Sequence, residues 1–180
     1  MATGKNRGIL VVGYGNTLRG DDGVGPEVAE MLAAELEGTG AAVVSTQQLL
    51  PELAEEVSRA ALMVFIDAAA DKPAGVVTTE WLAASRSTNG EPSLGGPNPA
   101  GSPAESGGDV FSHGMRPADL LGLASVLYAA TPPAVLVSIG AVNFEPGLGL
   151  SDVVSRAVPQ AARAAMAAID GGPTGVPGSA

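Results

Sequence analysis

The sequence predicts an α/β fold of three layers, with a twisted, mostly parallel sheet of about five strands and helices on both faces. The first apolar run, GILVV at 8–12, contains no alternating polar residues, which is typical of a strand buried on both faces of a sheet. A glycine-rich turn follows it, and then a segment with helical periodicity. Strand and helix signals continue to alternate along the chain, and this alternation favours parallel strands joined by helices.

The first half of the chain supplies three strands and two helices in order. The first helix is predicted in PEVAEMLAAELEG, at 26–38, because apolar residues recur there at helical spacing. A second strand is predicted at 41–50 and a short helix at 51–60, where a proline suits the first turn. The run at 61–66 predicts a third buried strand that ends at Asp67.

The second half supplies four more elements. The strand GVVTTEWL, at 75–82, carries polar residues on one side and is expected near an edge of the sheet. A helix is predicted after Pro117, a buried strand at 134–142, and a last helix from Ser151 to Ile169, with Ser151 as N-cap and Pro159 as a kink. The helix after Pro117 is expected to bury one face, formed by Leu120, Leu123, Ala124 and Leu127.

The chain organisation predicts one domain at 1–170. The segment at 85–109 is nearly free of apolar residues and rich in Gly, Pro and Ser, so we expect a mobile surface loop there. Residues 171–180 are expected to form a disordered tail. The apolar runs are too short to cross a bilayer, and the first run does not resemble a signal peptide.

Charge and cysteine content narrow the class of function. Nine Lys and Arg against 19 Asp and Glu give a formal charge of −10, which disfavours binding to nucleic acid. The same charge suits a cation or a polypeptide partner with basic residues. Because the chain contains no Cys, thiolate zinc sites and cysteine nucleophiles are excluded. These features together predict a cytoplasmic protein.

The glycine-rich turn allows two interpretations. Gly13 and Gly15 before a helix suggest a dinucleotide fingerprint, but Leu18 stands where the third glycine is expected. Asp21 and Asp22 would also place negative charge at the helix end that should receive a pyrophosphate. Acidic residues there can simply favour the helix dipole, so capping is an alternative role for Asp21. Nucleotide binding is therefore the weaker interpretation.

Three side chains are expected to meet at one end of the sheet. Asp22 follows the first strand, Asp67 follows the third, and His113, the single histidine, precedes the helix after Pro117. In open α/β sheets, ligands gather at the carboxyl ends of the strands. Two carboxylates and one imidazole suit a borderline divalent ion and leave coordination positions open. The sequence therefore predicts a metal-directed site.

Four motifs resemble the nickel-iron hydrogenase maturation endopeptidases. They are GYGNTLRGDDGVG, FIDA, SHGMRPADLLGLA and FEPGLGLSDVV, in the order of that family. The resemblance runs from about Gly8 to Ile169, without the segment at 85–109. It implies a peptidase that removes a C-terminal peptide from the nickel-loaded precursor of a hydrogenase large subunit. It also implies a monomer, with the nickel carried by the substrate.

The resemblance assigns residues to roles. Asp22, Asp67 and His113 match the nickel ligands and are the expected catalytic residues, although some relatives carry Glu at the position of Asp22. A further set in the first motif is expected to contact the substrate, and it consists of Gly13, Gly15, Asn16 and Asp21. The attacking water could be activated by the metal or by a carboxylate, and the sequence leaves both open.

Other functions remain as alternatives. The same three ligands could bind a nickel-loaded partner without cutting it, which would make the protein a maturation chaperone. A serine mechanism is disfavoured, because Ser112 adjoins His113 in the chain and no G-x-S-x-G elbow is present. A nucleotide-binding α/β protein is the third alternative.

Overall fold

The computed structural model describes residues 8–82 and 115–172. Within these ranges it contains five strands and four helices, with 3-10 turns at Gly20–Gly23 and Pro51–Leu53. The strands and helices are β1 (Ile9–Tyr14), α1 (Val24–Glu35), β2 (Ala42–Thr46), α2 (Ala54–Arg59), β3 (Leu62–Ala69), β4 (Val77–Leu82), α3 (Pro117–Tyr128), β5 (Ala134–Gly140) and α4 (Asp152–Gly171). The segment at 85–109, His113 and residues 173–180 lie outside the described residues, so the predictions made for them stay predictions.

The strands form one sheet in the order β2-β1-β3-β5-β4. Strands β1, β2, β3 and β5 are parallel, and β4 is antiparallel to β5 at the edge. This confirms the predicted mostly parallel sheet and the edge position of the strand at 75–82. No helix in the described parts of the chain combines the length and apolarity that crossing a bilayer requires.

Helices cover both faces of the sheet because successive strand residues point to opposite sides. In β3, Val64 and Ile66 pack in one apolar cluster with α1 and α4. Met63 and Phe65 pack in a second cluster with α2 and α3. All four side chains are fully buried. The predicted three-layer architecture is therefore confirmed. The carboxyl ends of the parallel strands lead into the turns that connect the sheet to the helices.

Two glycines allow α1 to approach the sheet closely. A Cβ at Gly13 would lie 2.2 Å from the carbonyl oxygen of Gly25. A Cβ at Gly25 would lie 2.3 Å from the carbonyl oxygen of Tyr14 and 2.6 Å from that of Ile66. Both contacts are to backbone, which cannot rotate away. The glycine-rich motif therefore brings the first turn of α1 against the ends of β1 and β3.

We expect Gly25→Ala to lower the free energy of unfolding by about 2 kcal/mol, since the added methyl group overpacks a backbone contact. Chemical denaturation measures the change. Gly171→Ala is the matched control, because a Cβ there meets nothing within 4 Å and alanine favours a helix. Equal stability of the two variants would contradict the close-approach role of Gly25.

The third strand is longer than the sequence predicted. Asp67 does not follow β3 but lies inside it, because Asp67, Ala68 and Ala69 pair with Ser138, Ile139 and Gly140 of β5. The apolar run ends at Ile66, but the backbone pairing with β5 continues to Ala69. The prediction that β3 ends at Asp67 is wrong, since the backbone of Asp67 pairs with β5 instead of entering a turn.

Two predicted side-chain roles in the helices also differ from the structure. Leu127 is 59 % exposed at the end of α3, and Leu121 instead joins Leu120 in the buried face. Ser151 precedes α4 as predicted, but its side chain makes no capping hydrogen bond within the helix. The last helix continues through Pro159 to Gly171, which is two residues beyond the predicted end and is the first residue of the predicted tail.

Candidate functional site

A row of polar side chains crosses the carboxyl end of the sheet. Tyr14 pairs with Thr46, Asp67 pairs with Ser138, and Ser138 pairs with Thr78. Gly13 pairs with Ile66, so the next residues, Tyr14 and Asp67, are also neighbours. Paired residues point to the same face of a sheet, and this row lies on the face covered by α2 and α3. Hydroxyl groups and one carboxylate therefore replace the apolar core at this end.

Asp67 is the only carboxylate in that row, and its environment is unusual. The hydroxyl of Tyr14 donates a hydrogen bond to Oδ2 of Asp67 at 2.7 Å. Burial, aided by the negative charge of Asp22 and opposed by the Tyr14 hydrogen bond, raises the pKa of Asp67 to about 6. A carboxyl group that titrates this close to neutrality can both hold and release a proton under physiological conditions.

Asp22 lies in the turn between β1 and α1. The backbone N–H of Asn16 donates to Oδ2 of Asp22 at 2.8 Å, and the N–H of Leu18 donates to Oδ1 of Asn16 at 2.9 Å. Gly15 adopts a φ of 140°, and a Cβ there would lie 1.9 Å from the carbonyl oxygen of Asp22. The turn therefore folds tightly around Asp22, and only glycine fits at position 15.

The structure brings Asp22 and Asp67 to the same end of the sheet. The negative charge of Asp22 raises the pKa of both Asp67 and the Tyr14 hydroxyl, so the three groups lie within electrostatic reach of one another. In the chain, the two aspartates are separated by α1, β2, α2 and most of β3. The acidic pair of Asp22 and Asp67 is the candidate site.

Asp21 has a different environment from its neighbour. Its side chain is fully buried and accepts four hydrogen bonds, from the N–H groups of Val142, Asn143 and Ser151 and from the Ser151 hydroxyl, at 2.6–3.1 Å. Burial alone would raise the pKa of Asp21, but these donors hold it below its ordinary value. This carboxylate joins the turn after β1 to the segment between β5 and α4. Its predicted contact with substrate stays a prediction.

The first turn of α3, which follows His113 in the chain, is stabilised by hydrogen bonds between Arg116 and Asp119. Asp119 accepts a hydrogen bond from the backbone N–H of Arg116 and two more from its guanidinium group, at 2.9–3.3 Å. Helix α3 leads into β5 through residues 129–133, so its first turn lies toward the carboxyl end of that strand. Among the residues that the structure describes, no three acidic or histidine side chains form a metal-binding group. A third ligand would have to come from outside those ranges.

The remaining predicted residues lie near the end of β1 and in the turn after it. Gly13 is buried under α1, and Gly15 and Asn16 shape the turn around Asp22. Tyr14 is a residue of the site that was not predicted from the sequence, and its hydroxyl contacts Asp67 from the neighbouring strand. An available signal was the tyrosine at the end of an apolar run, since a buried tyrosine usually bonds through its hydroxyl.

The fold and the acidic pair together define an α/β protein with a carboxylate site at the carboxyl end of its sheet. Several solved structures with a similar fold are named as endopeptidases or hydrogenase maturation proteases. An endopeptidase from Escherichia coli matches with a TM-score of 0.66 and 20 % identity, covering 93 % of this chain and 94 % of that chain. The hydrogenase maturating endopeptidase HybD from Escherichia coli matches with a TM-score of 0.61 and 22 % identity, covering 91 % and 92 %.

A third similar structure is the [NiFe] hydrogenase maturation protease HybD from Thermococcus kodakarensis. Its TM-score is 0.61 and its identity 22 %, over 88 % of this chain and 96 % of that chain. No protein-family model matches the sequence, and no curated protein matches it. At these identities the similarity establishes a shared fold. The chain has the fold of the hydrogenase maturation endopeptidases, which agrees with the resemblance found in its motifs.

We expect Asp67→Asn to stabilise the protein at neutral pH. The pKa of Asp67 rises from its ordinary value of 3.8 to about 6 on folding, so the folded state binds more protons between these values and stability falls as pH rises through them. The variant lacks this penalty and should gain at most about 3 kcal/mol above pH 6, with the gain vanishing below about pH 4.

Urea denaturation at pH 4, 5 and 7 measures this difference. Asp71→Asn is the control, because Asp71 is exposed in the connection after β3 and its replacement should change stability little at any pH. If Asp67→Asn has the same stability as the wild type at pH 7, the charged form of Asp67 carries no folding cost.

Proposed function

We propose that this protein is an endopeptidase that removes a C-terminal peptide from the nickel-loaded precursor of a nickel-iron hydrogenase large subunit. Nickel in the precursor is part of the substrate and serves as the recognition tag. The observation that carries the proposal is the acidic pair, because Asp22 and Asp67 come from distant parts of the chain and share one end of the sheet. The fold shared with structures titled as maturation endopeptidases supports it.

The acidic pair has the chemistry that the proposed substrate requires. Carboxylate oxygens with an imidazole nitrogen suit a borderline divalent ion such as nickel. Both carboxylates are already oriented, since Tyr14 holds Oδ2 of Asp67 and the N–H of Asn16 holds Oδ2 of Asp22. Burial, and to a smaller extent the negative charge of Asp22, raises the pKa of Asp67, and a bound cation would offset both effects.

His113 is the proposed third ligand. His113 lies two positions before Met115, the first residue of the described range 115–172. Because two residues of extended chain span at most about 7 Å, His113 lies within that distance of Met115. Met115 packs against the cluster on the α2 and α3 face of the sheet, which is also the face of Asp67. This placement of α3 supports a role for His113 beside the acidic pair.

The proposed role of these residues is orientation. Asp22, Asp67 and His113 bind open coordination positions of the nickel in the precursor, and this fixes the scissile peptide bond beside them. A precursor without nickel lacks that anchor, so cleavage follows metal insertion. A carboxylate oxygen of the acidic pair that is not bound to nickel can take a proton from the attacking water and pass it to the leaving amine. Polarisation of the peptide carbonyl by the nickel is the other available contribution.

Mass spectrometry of precursor incubated with the purified protein tests the proposal. A nickel-loaded large-subunit precursor should lose the mass of its C-terminal peptide, whereas the metal-free precursor should keep its full mass. A maturation chaperone would instead bind the nickel-loaded precursor without changing its mass. Equal cleavage of the two precursors would contradict the role of nickel as a tag, and cleavage of neither would contradict the peptidase itself.

A further inference from the structure

We infer that Tyr14 is a positioning residue, which holds Asp67 in the orientation that binds the nickel of the precursor. The inference rests on the proposed function, and it concerns a residue outside the three proposed ligands. Its basis is geometric, because the Tyr14 hydroxyl donates to Oδ2 of Asp67 at 2.7 Å from the adjacent strand.

The sheet register explains why Tyr14 can reach Asp67. Strands β1 and β3 are parallel neighbours, and the pairing of Gly13 with Ile66 makes Tyr14 and Asp67 the next pair on the same face. The tyrosine ring packs beside the apolar cluster on that face, while its hydroxyl points along the polar row toward the carboxylate. A ring with few rotatable bonds, packed against a rigid sheet, is a precise support for a ligand.

The hydrogen bond from Tyr14 also fixes which part of Asp67 faces the substrate. The Tyr14 hydroxyl donates to Oδ2, one of the two carboxylate oxygens of Asp67. Since Oδ2 of Asp67 is bonded to Tyr14, a metal ion that leaves this bond intact approaches through Oδ1.

This arrangement repeats across the acidic pair. The N–H of Asn16 donates to Oδ2 of Asp22, just as the Tyr14 hydroxyl donates to Oδ2 of Asp67. Both donors come from β1 or the turn that follows it. One short segment, 14–16, thus orients both carboxylates. Hydrogen bonds from such outer groups orient metal ligands, and their loss typically weakens metal binding about 10- to 100-fold.

The test is Tyr14→Phe in the full chain, which removes one oxygen and keeps the ring. Calorimetric titration with Ni²⁺ alone should show binding at least about 10-fold weaker than in the wild type. The KM for nickel-loaded precursor should rise by a similar factor, whereas the thermal midpoint should change little. Tyr128→Phe is the matched control, because the other tyrosine of the chain is 46 % exposed at the end of α3.

A double-mutant cycle separates positioning from a general structural role. In an Asp67→Asn background, Tyr14→Phe should cause no further loss of Ni²⁺ affinity, since the two residues act as one unit. Additive losses, or a Tyr14→Phe variant that binds Ni²⁺ and cleaves precursor as the wild type does, would overturn the inference alone. A wild type that neither binds Ni²⁺ nor cleaves nickel-loaded precursor would overturn the proposed function and this role together.

Discussion

Asp21→Asn is expected to lower the free energy of unfolding by about 4 kcal/mol, which is a large share of the total for a domain of this size. The fully buried carboxylate accepts four hydrogen bonds that join the turn after β1 to the segment before α4. An amide offers one acceptor oxygen and turns its NH₂ group toward donors. Each buried N–H that loses its partner costs about 1–3 kcal/mol.

Urea denaturation of the wild type and the variant measures the loss, and pH adds a second signature. Because the pKa of Asp21 lies below its unfolded value, the stabilisation is complete above about pH 4 and declines as pH falls through the folded pKa. The difference between wild type and variant should therefore shrink at low pH. A loss below about 1 kcal/mol at pH 7 would contradict the linking role of Asp21.

Asp22→Asn is expected to reduce precursor cleavage at least about 100-fold while leaving the fold intact, because misplacing the substrate anchor by a small distance has an effect of this size. The asparagine keeps the shape of the side chain and can still accept from the N–H of Asn16, but it loses the charge. The measurement is the single-turnover rate of C-terminal peptide release from nickel-loaded precursor. His113→Ala should have an effect of similar size.

The two adjacent aspartates serve as controls for each other. Asp21→Asn should lose stability, and Asp22→Asn should lose activity without a comparable change in denaturation midpoint. Glu30→Gln, on an exposed position of α1, removes one negative charge elsewhere and should change neither property. Normal cleavage by Asp22→Asn would remove Asp22 from the proposed set of nickel ligands.

Sequence reasoning succeeded where one chemical signal dominated. Apolar runs such as 61–66 located the buried strands, and the exposed strand at 75–82 was correctly placed at the edge, because its polar residues could not be buried on both faces. It failed where backbone pairing continued past the apolar signal. Strand β3 runs on through Asp67 because β5 supplies hydrogen-bonding partners for it, and no local pattern records that partner.

Some residues of the candidate site were predicted from the sequence, and others were not. Asp22 and Asp67 were identified from their positions after apolar runs, because strand ends gather at one edge of a parallel sheet. Tyr14 was not identified, since its role depends on the register between β1 and β3. Leu127 fits the helical period of α3 but is exposed, while Leu121 is buried in its place, because packing against α2 and the apolar cluster on that face sets the rotation of the helix.

The sequence by itself determined the α/β class, the alternation of strands and helices, and the presence of two adjacent aspartates in a glycine-rich turn. Only the tertiary structure decided that Asp21 is buried under four donors while Asp22 lies within electrostatic reach of Asp67 and Tyr14. The two side chains are chemically identical and one residue apart, so no property of the local sequence distinguishes them. Their environments come from the segment at 142–151 and from β3, which the chain brings to the turn only when the sheet forms.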